Sequence, residues 1–358
     1  MGEATPMSNQ SSKNPHQDHY WLATDAEVEQ VASYLGISLS PGNATEITQN
    51  FSRIFLFGED DGEQRVLKIR ARWMTEGRIR FEHALAGHLR DHGLPTVVPL
   101  AIRDGPTWAK AGDLYCEIAP FVDGREAGPI LADVRLMGEL LGHFHRCSRD
   151  FNPSLYKPPH FQNQVEPRDL ETEVQQLSQQ AGEMENSTSE KIGSVCTRWK
   201  ELADCYERQA VSLPHVIRHG DFHPWNLLFS RTEPGRIAAL FDLDMSAPGP
   251  RVYDISYAIF FLRPLHPERN GGEWDARYRQ FIEGYAETSG LPFIENEVAA
   301  VSLLIKCIAL QFMVRKAVEA GIHGTETVQE YENYVGVDDW LESWGAELAD
   351  ILRRGGLG

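Results

Sequence analysis

The sequence is short of what several protein classes require. Its five cysteines, Cys116, Cys147, Cys196, Cys205 and Cys307, are odd in number and include no C-x-x-C pair. That argues against a disulfide framework or a cysteine zinc site and fits reduced thiols in a cytoplasmic protein. No apolar run approaches the length of a membrane span, so no membrane partner is expected. Residues 1–20 are polar and lack the apolar core of a signal peptide. Pro6 stands where a myristoylation signal requires Ser or Thr. This segment reads as a flexible tail. Basic residues are outnumbered, with 34 Lys and Arg against 52 Asp and Glu, a net charge of −18. Nucleic-acid binding needs a basic footprint and is not expected. The acidic balance suits a cationic small molecule, although solubility alone explains it too. There is no Walker A motif, no G-x-G-x-x-G ahead of the candidate residues below, and no repeat of solenoid period. Nothing in the sequence specifies an oligomeric state.

What is present suffices for one large core or two ordinary ones: 358 residues, 42% hydrophobic and 24% charged. Apolar positions at helical spacing (Val28, Val31, Leu35) predict a helix over 25–37, with Thr24 or Asp25 as N-cap. The period then shortens. Strands are expected at Ala44–Gln49, Arg53–Gly58, Arg65–Arg70, Val97–Ile102 and Leu114–Pro120, with a hairpin turn at Asp60-Asp61-Gly62 and one helix, Ile79–His92, inserted before Gly93. From Ala132 onward helices dominate: Val134–Cys147, Leu170–Ala181, Lys191–Ala210, Glu297–Ala320 and Val328–Leu352. Between them lie two short strands, Asn226–Phe229 and Ile237–Phe241, joined at Pro234-Gly235. The expectation is an α+β protein of two lobes. A small antiparallel β-rich lobe spans 21–120, and a larger, mainly helical lobe spans 121–358 with polar site residues on its loops. A cleft between such lobes is a natural ligand site.

The residues that carry chemistry cluster in 219–254. His219-Gly220-Asp221-Phe222-His223-Pro224-Trp225-Asn226 holds an Asp and an Asn five positions apart, and Asp242 follows an apolar strand. An aspartate that meets a hydroxyl proton, with an Asn and an Asp that hold Mg²⁺, is the minimum set for phosphoryl transfer from ATP. Asp221 is the candidate base, and Asn226 and Asp242 are the candidate metal ligands, both offering hard oxygen donors. A bare Asx-turn loop is the alternative, but a carboxylate just past an apolar strand is costly to bury unless it binds something. Lys68 lies on one face of its strand with Val66 and Arg70, where an ammonium can hold phosphates; a solvated edge lysine is the alternative. Glu82, on the next helix, is expected to pair with Lys68, or else to be an exposed helix residue. Ser52 lies in the expected phosphate loop near Gln49-Asn50-Phe51-Ser52, which is equally well read as an ordinary polar turn. Asp244 joins the metal site or is solvated. Asp254 reads as an anchor accepting hydrogen bonds from the Asp221 loop, or as a plain N-cap. His219 and His223 alternate with Asp221 as metal ligands can, but no third histidine completes a site. His143 and His145 read as packing residues. Trp225, Trp274 and Tyr285 read as core or as lining for an acceptor.

The run from His219 to Asn226, then Leu240-Phe241-Asp242-Leu243-Asp244, then Gly249 to Ile255, resembles the aminoglycoside phosphotransferase/choline kinase family. The resemblance extends in order over about residues 40–320. It implies a protein-kinase-like bilobal fold, ATP and Mg²⁺ as cofactors, and a small hydroxyl-bearing acceptor such as an aminoglycoside or other antibiotic, an amino alcohol or homoserine. It assigns Asp221 as base, Asn226 and Asp242 as Mg²⁺ ligands, and Lys68 with Glu82 to the phosphates. It also makes Ala119–Val122, including Ala119 and Phe121, the interlobe hinge that reads adenine through its backbone, although Pro120 removes one donor there. A Ser/Thr protein kinase of the bacterial stress-response type shares all this chemistry. Only eleven residues separate Asp242 from Asp254, which leaves little room for peptide docking and favours a small acceptor. A haloacid-dehalogenase-type phosphatase is the rival from another class, since Phe241-Asp242-Leu243-Asp244 resembles its D-x-D.

Overall fold

A computed structural model describes residues 22–49, 52–59, 62–128, 130–152, 170–182, 187–210, 212–262, 273–320 and 325–356. The expected tail, the residues Asp60-Asp61 of the hairpin turn and most of the Pro-rich stretch 151–168 lie outside the described residues. The order of elements is α1 (Asp25–Leu35), β1 (Ala44–Gln49), β2 (Arg53–Gly58), β3 (Gln64–Ile69), α2 (Glu76–Asp91), β4 (Ala109–Ala111), β5 (Leu114–Pro120) and α3 (Leu131–Ser148). Then come α4 (Glu171–Gly182), α5 (Ser187–Ala210), β6 (His215–Arg218), β7 (Leu227–Phe229), β8 (Ile237–Leu240), β9 (Ala247–Pro250), α6 (Val252–Leu262), α7 (Glu273–Ser289), α8 (Glu295–Ala320) and α9 (Thr325–Gly356).

The first five strands form one antiparallel sheet in the order β1-β2-β3-β5-β4. Alternation along β3 decides what the sheet presents. Leu67 and Ile69 are fully buried in a cluster with Val28 and Val31 of α1, Phe55, Phe57, Leu114 and Cys116. Lys68 therefore points to the opposite face. Thr24 caps α1 with a reciprocal box: its hydroxyl accepts from Glu27 N–H, and Glu27 Oε2 accepts from Thr24 N–H at 2.8 Å.

The larger cluster joins α2 to the helical part of the chain. Its spine is the pair α3 and α7, which approach closely because glycines face each other. A Cβ on Gly138 would come within 2.0 Å of Phe281 O, and one on Gly284 within 2.4 Å of Arg135 O. α8 is long and apolar enough over Glu295–Val318 to cross a membrane, against the expectation from the sequence, but most of it is buried inside the protein. It is the core helix that its all-round apolar composition predicts, and it packs against α6, α5 and α9. Arg251 ties α6 to α8 through a buried fork onto Glu297, Nε to Oε1 at 2.6 Å and Nη2 to Oε2 at 2.7 Å. All five cysteines are free thiols.

Four parts of the fold depart from expectation. Val97–Ile102 forms no strand: Val97 N–H goes to Leu240 O at 3.2 Å and Leu100 N–H to Ile118 O at 2.7 Å, so the segment bridges two sheets and ladders with neither. The strand β4, the ladder β6–β9 and the helix α7 were not read in the sequence, the first two because their strands are only three or four residues long.

Candidate active site

Two short ladders build the site. β6 pairs with β9, and β7 pairs with β8, both antiparallel. The loop between β6 and β7 carries Asp221 and Asn226, and the turn between β8 and β9 carries Asp242 and Asp244. Three bonds hold these segments together: Phe241 N–H donates to Asn226 O at 3.2 Å, His219 Nε2 donates to Phe241 O at 3.2 Å, and Ser246 Oγ donates to His219 O at 3.1 Å. His219 Nδ1 accepts from Asp221 N–H at 3.3 Å, which assigns that tautomer.

The loop is anchored from below by Asp254 in the first turn of α6. Its fully buried carboxylate accepts from His219 N–H at 2.7 Å, Gly220 N–H at 2.8 Å and His145 Nε2 at 2.9 Å. This is the anchor expected from the sequence. Gly220 makes the turn possible: its φ is 84°, and a Cβ there would lie 2.2 Å from Met245 O.

Asp221 faces its own loop and α6. Asn226 Nδ2 donates to Asp221 Oδ2 at 3.0 Å and to its carbonyl oxygen at 2.8 Å, and His223 Nε2 lies 3.4 Å from Oδ2. Burial pushes the Asp221 carboxyl up, but His223 and a hydrogen bond from Tyr257 outweigh it and hold the group well below the usual carboxylate range. It stands as an ionised acceptor. With Nδ2 spent on Asp221, the remaining polar atom of the Asn226 side chain is the Oδ1 acceptor.

Asp242 sits at φ 66° and ψ 61°, a left-handed conformation that few non-glycine residues adopt. Lys68 Nζ lies 3.0 Å from Asp242 Oδ1 and 3.0 Å from Asp244 Oδ1. Burial raises the half-buried Asp242 to about 6, with Asp244 and Asp221 adding to the rise and Lys68 opposing it. Asp244 goes the other way: Arg70 and Lys68 override its burial and hold it far below its ordinary value. Lys68 is held charged, since Asp242 and Asp244 outweigh both burial and the repulsion of Arg70.

Glu82 departs from expectation. It does not pair with Lys68; its partners are Arg78 Nε at 2.8 Å and Arg70 Nη2 at 2.8 Å. The physical reason lies in the strand: Arg70 is on the same face as Lys68, one pleat nearer to α2, and its guanidinium reaches Glu82, Glu117 and Asp244 together. The cluster of Arg70, Arg78, Glu117 and His83 was missed in the sequence, where the only signal was the alternation of Lys68 with Arg70. Asp244 is not solvated; it is the shared partner of Lys68 and Arg70.

Ser52 is buried at the start of β2, and residues 50–51 of the expected phosphate loop lie outside the described residues. At the hinge the register refines the expectation. Phe121 N–H is spent on Gln64 O at 3.2 Å, and Ala119 faces Val66 across the β3–β5 ladder. The polar groups turned away from β3 are by alternation those of Ile118, Pro120 and Val122, and Ile118 O is taken by Leu100. Ala119 and Phe121 thus aim their backbone at β3, while Pro120 C=O and Val122 N–H point outward.

Beside the Asp221 loop, Trp225 is 59% exposed and so is not core. Its ring centroid is 5.4 Å from His223 and 5.5 Å from Phe261, which continues to Tyr257 and Phe312. Tyr285 is fully buried, with its hydroxyl on His145 Nδ1 at 3.0 Å; the Trp274 side chain lies outside the described residues. Among the described residues no group of three or more His, Cys, Asp or Glu is arranged to hold a metal. The oxygen pair Asn226 and Asp242 fits the sparser protein contribution usual for Mg²⁺, one or two carboxylates completed by phosphates and water.

An antiparallel sheet over a helical body, with a lysine from the sheet meeting an Asp-rich pair of loops from the body, defines the protein-kinase-like α+β fold. The chain belongs to the phosphotransferase enzyme family, whose model matches residues 43–291. It is 25% identical over 300 residues to a homoserine kinase of Phenylobacterium zucineum (strain HLK1), covering 83% of this chain and 86% of that protein. Two solved structures share its fold. The amicoumacin kinase hAmiN, in complex with AMP-PNP, Ca²⁺ and Ami, superposes with a TM-score of 0.65 at 16% identity over 91% of this chain and 94% of that one. An aminoglycoside phosphotransferase from Alicyclobacillus acidocaldarius superposes with a TM-score of 0.61 at 13% identity over 88% and 94%. The protein is therefore a phosphotransferase. The phosphatase reading fails, because β8 belongs to a two-stranded antiparallel ladder within this fold.

Proposed function

We propose that the protein transfers the γ-phosphate of Mg·ATP to a hydroxyl of a small organic molecule, with a cationic one favoured. The observation that carries the reading is that Lys68 reaches from the sheet onto Asp242 at 3.0 Å, beside a loop in which Asn226 holds Asp221 at 3.0 Å. In this reading residues 21–120 bind the nucleotide and 121–358 supply the catalytic loops and the acceptor site. The AMP-PNP and Ca²⁺ in the amicoumacin kinase support a nucleotide and a divalent ion in this fold.

Asp221 accepts a hydrogen bond from the acceptor hydroxyl and aims it at the γ-phosphorus; its ionised state suits that role. Asn226 fixes the Asp221 carboxylate through Nδ2 and offers Oδ1 to the metal. Asp242 offers the charged oxygen, and the crowding of carboxylates around it favours a cation there. Mg²⁺ held by Asn226 and Asp242 would supply the positive charge that neutralises the charge developing on the transferred phosphate. Lys68 takes a phosphate oxygen as a point charge, exchanging part of its hold on Asp242 and Asp244. Ser52 adds a hydroxyl at the phosphate loop. Pro120 C=O and Val122 N–H take the adenine edge. Trp225 and Phe261 form the wall on which the acceptor rests, and the carboxylates beside it favour a cationic group.

The test is phosphate transfer from Mg·ATP across a panel of homoserine, amino alcohols, aminoglycosides, other hydroxylated antibiotics and a generic protein substrate. Transfer to a small molecule and not to the protein supports the reading. Transfer to protein seryl or threonyl groups alone would overturn the choice of acceptor class, and transfer to nothing would overturn the function.

A further inference from the structure

Arg78 on α2 is 2% exposed, and it grips the Asp242 turn from across the site. Its Nη2 donates to Leu243 O at 3.3 Å and to the carbonyl oxygen of Asp244, while its Nε donates to Glu82 Oε1 at 2.8 Å. Those two carbonyls belong to the short 3-10 turn Leu243–Met245, which begins directly after Asp242. Ser246 N–H closes the same turn onto Leu243 O at 3.0 Å.

We propose that Arg78 is a positioning residue for Asp242. A left-handed aspartate is unfavourable and persists only where the surroundings over-determine it. Here the turn is fixed on two sides. Arg70 takes the Asp244 carboxylate, and Arg78 takes the backbone carbonyls of Asp244 and of Leu243, the latter shared with Ser246 N–H. Glu82 holds the Arg78 guanidinium at its aim. The link between α2 and the metal-binding turn thus runs from Glu82 through Arg78 to the backbone, in place of a Glu82–Lys68 pair. A planar fork suits this task, because one guanidinium can address a carboxylate and two carbonyls at once. The inference rests on reading Asp242 as a metal ligand.

Calorimetry of AMP-PNP binding, in Mg²⁺ and in EDTA, tests it on the full chain. Wild type should bind AMP-PNP more tightly with Mg²⁺. Arg78→Gln should lose about tenfold or more of that Mg²⁺-dependent gain while its affinity in EDTA stays within about twofold of wild type. Arg78→Lys keeps a charge for Glu82 but not the fork, so it should fall between, and it serves if the Gln variant does not fold. In the metal-free protein, the Ser246 amide should exchange faster in both variants, while the amides of Leu67 and Ile69 in the sheet keep their protection. Equal weakening of AMP-PNP with and without Mg²⁺, or an unchanged Mg²⁺-dependent gain, overturns the inference. A wild type that binds no AMP-PNP in Mg²⁺ overturns the nucleotide reading instead, and Ser246 exchange then decides by itself whether Arg78 holds the turn.

Discussion

Removing the Asp254 carboxylate should loosen the Asp221 loop by a calculable amount. Asp254 is fully buried and accepts from His219 N–H at 2.7 Å and Gly220 N–H at 2.8 Å, so its loss strands these two buried backbone donors as well as His145 Nε2. A hydrogen bond to a charged group contributes about 1.5–3 kcal/mol, and an orphaned buried donor costs a similar amount. Asp254→Ala should therefore destabilise the loop by about 4 kcal/mol, a large part of an ordinary stability. Asp254→Asn keeps one acceptor oxygen but presents an NH₂ group to the other donor, so about 2 kcal/mol is expected. Native-state hydrogen exchange reads this residue by residue. At about 1.4 kcal/mol per decade, the His219 and Gly220 amides should exchange about a thousandfold faster in Asp254→Ala and about thirtyfold faster in Asp254→Asn. Amides of β2 and β3, which share no contact with Asp254, should change far less in Asp254→Asn. Unchanged protection at His219 and Gly220 would refute the anchor reasoning.

Three further outcomes are expected. Gly138→Ala drives a Cβ toward Phe281 O, backbone that cannot rotate away, so thermal unfolding should show a loss of about 1–3 kcal/mol or more; a neutral substitution would mean α3 and α7 are not so close. Burial holds the His145 imidazole below its ordinary value, against its contact with Asp254 and the charge of Glu297 and with the help of Arg251, while Tyr285 caps its other nitrogen. The unfolded chain therefore binds the proton first, and stability should fall as pH drops below about 6.5. The depressed Asp254 adds a separate loss only as pH falls further, below the ordinary carboxylate range. Urea unfolding against pH should show the first loss, reduced in His145→Gln; an unchanged profile contradicts it. Trp225→Ala should raise the acceptor KM about tenfold with little change in kcat, if the exposed indole forms the acceptor wall; an unchanged KM would remove Trp225 from the site.

Much of this was legible in the sequence because local rules governed it. β1, β2 and β5 lie where period-two runs bounded by turn residues put them, and of the two expected N-caps, Thr24 and Asp25, it is Thr24 that caps α1. The loops bearing Asp221, Asn226 and Asp242 were legible because polar residues of those types interrupt apolar strands. What was not legible depends on reach across the fold. Glu82 had a plausible partner in Lys68, but which of two same-face cations it takes depends on how far α2 sits from each pleat of β3. Val97–Ile102 has the composition of a strand, yet its hydrogen bonds are divided between Leu240 and Ile118. Which hinge groups face outward, Pro120 and Val122 rather than Ala119 and Phe121, depends on register, which pairing sets and composition does not.

The central claim is that Asp221, Asn226, Asp242 and Lys68 work as one phosphoryl-transfer site. Single-turnover transfer from Mg·ATP to the best acceptor, measured beside nucleotide affinity in wild type and Asp221→Ala, tests it most directly. The account predicts that Asp221→Ala lowers the transfer rate by about a hundredfold to ten-thousandfold and leaves Mg·ATP affinity nearly intact. A variant that transfers phosphate at the wild-type rate would contradict it.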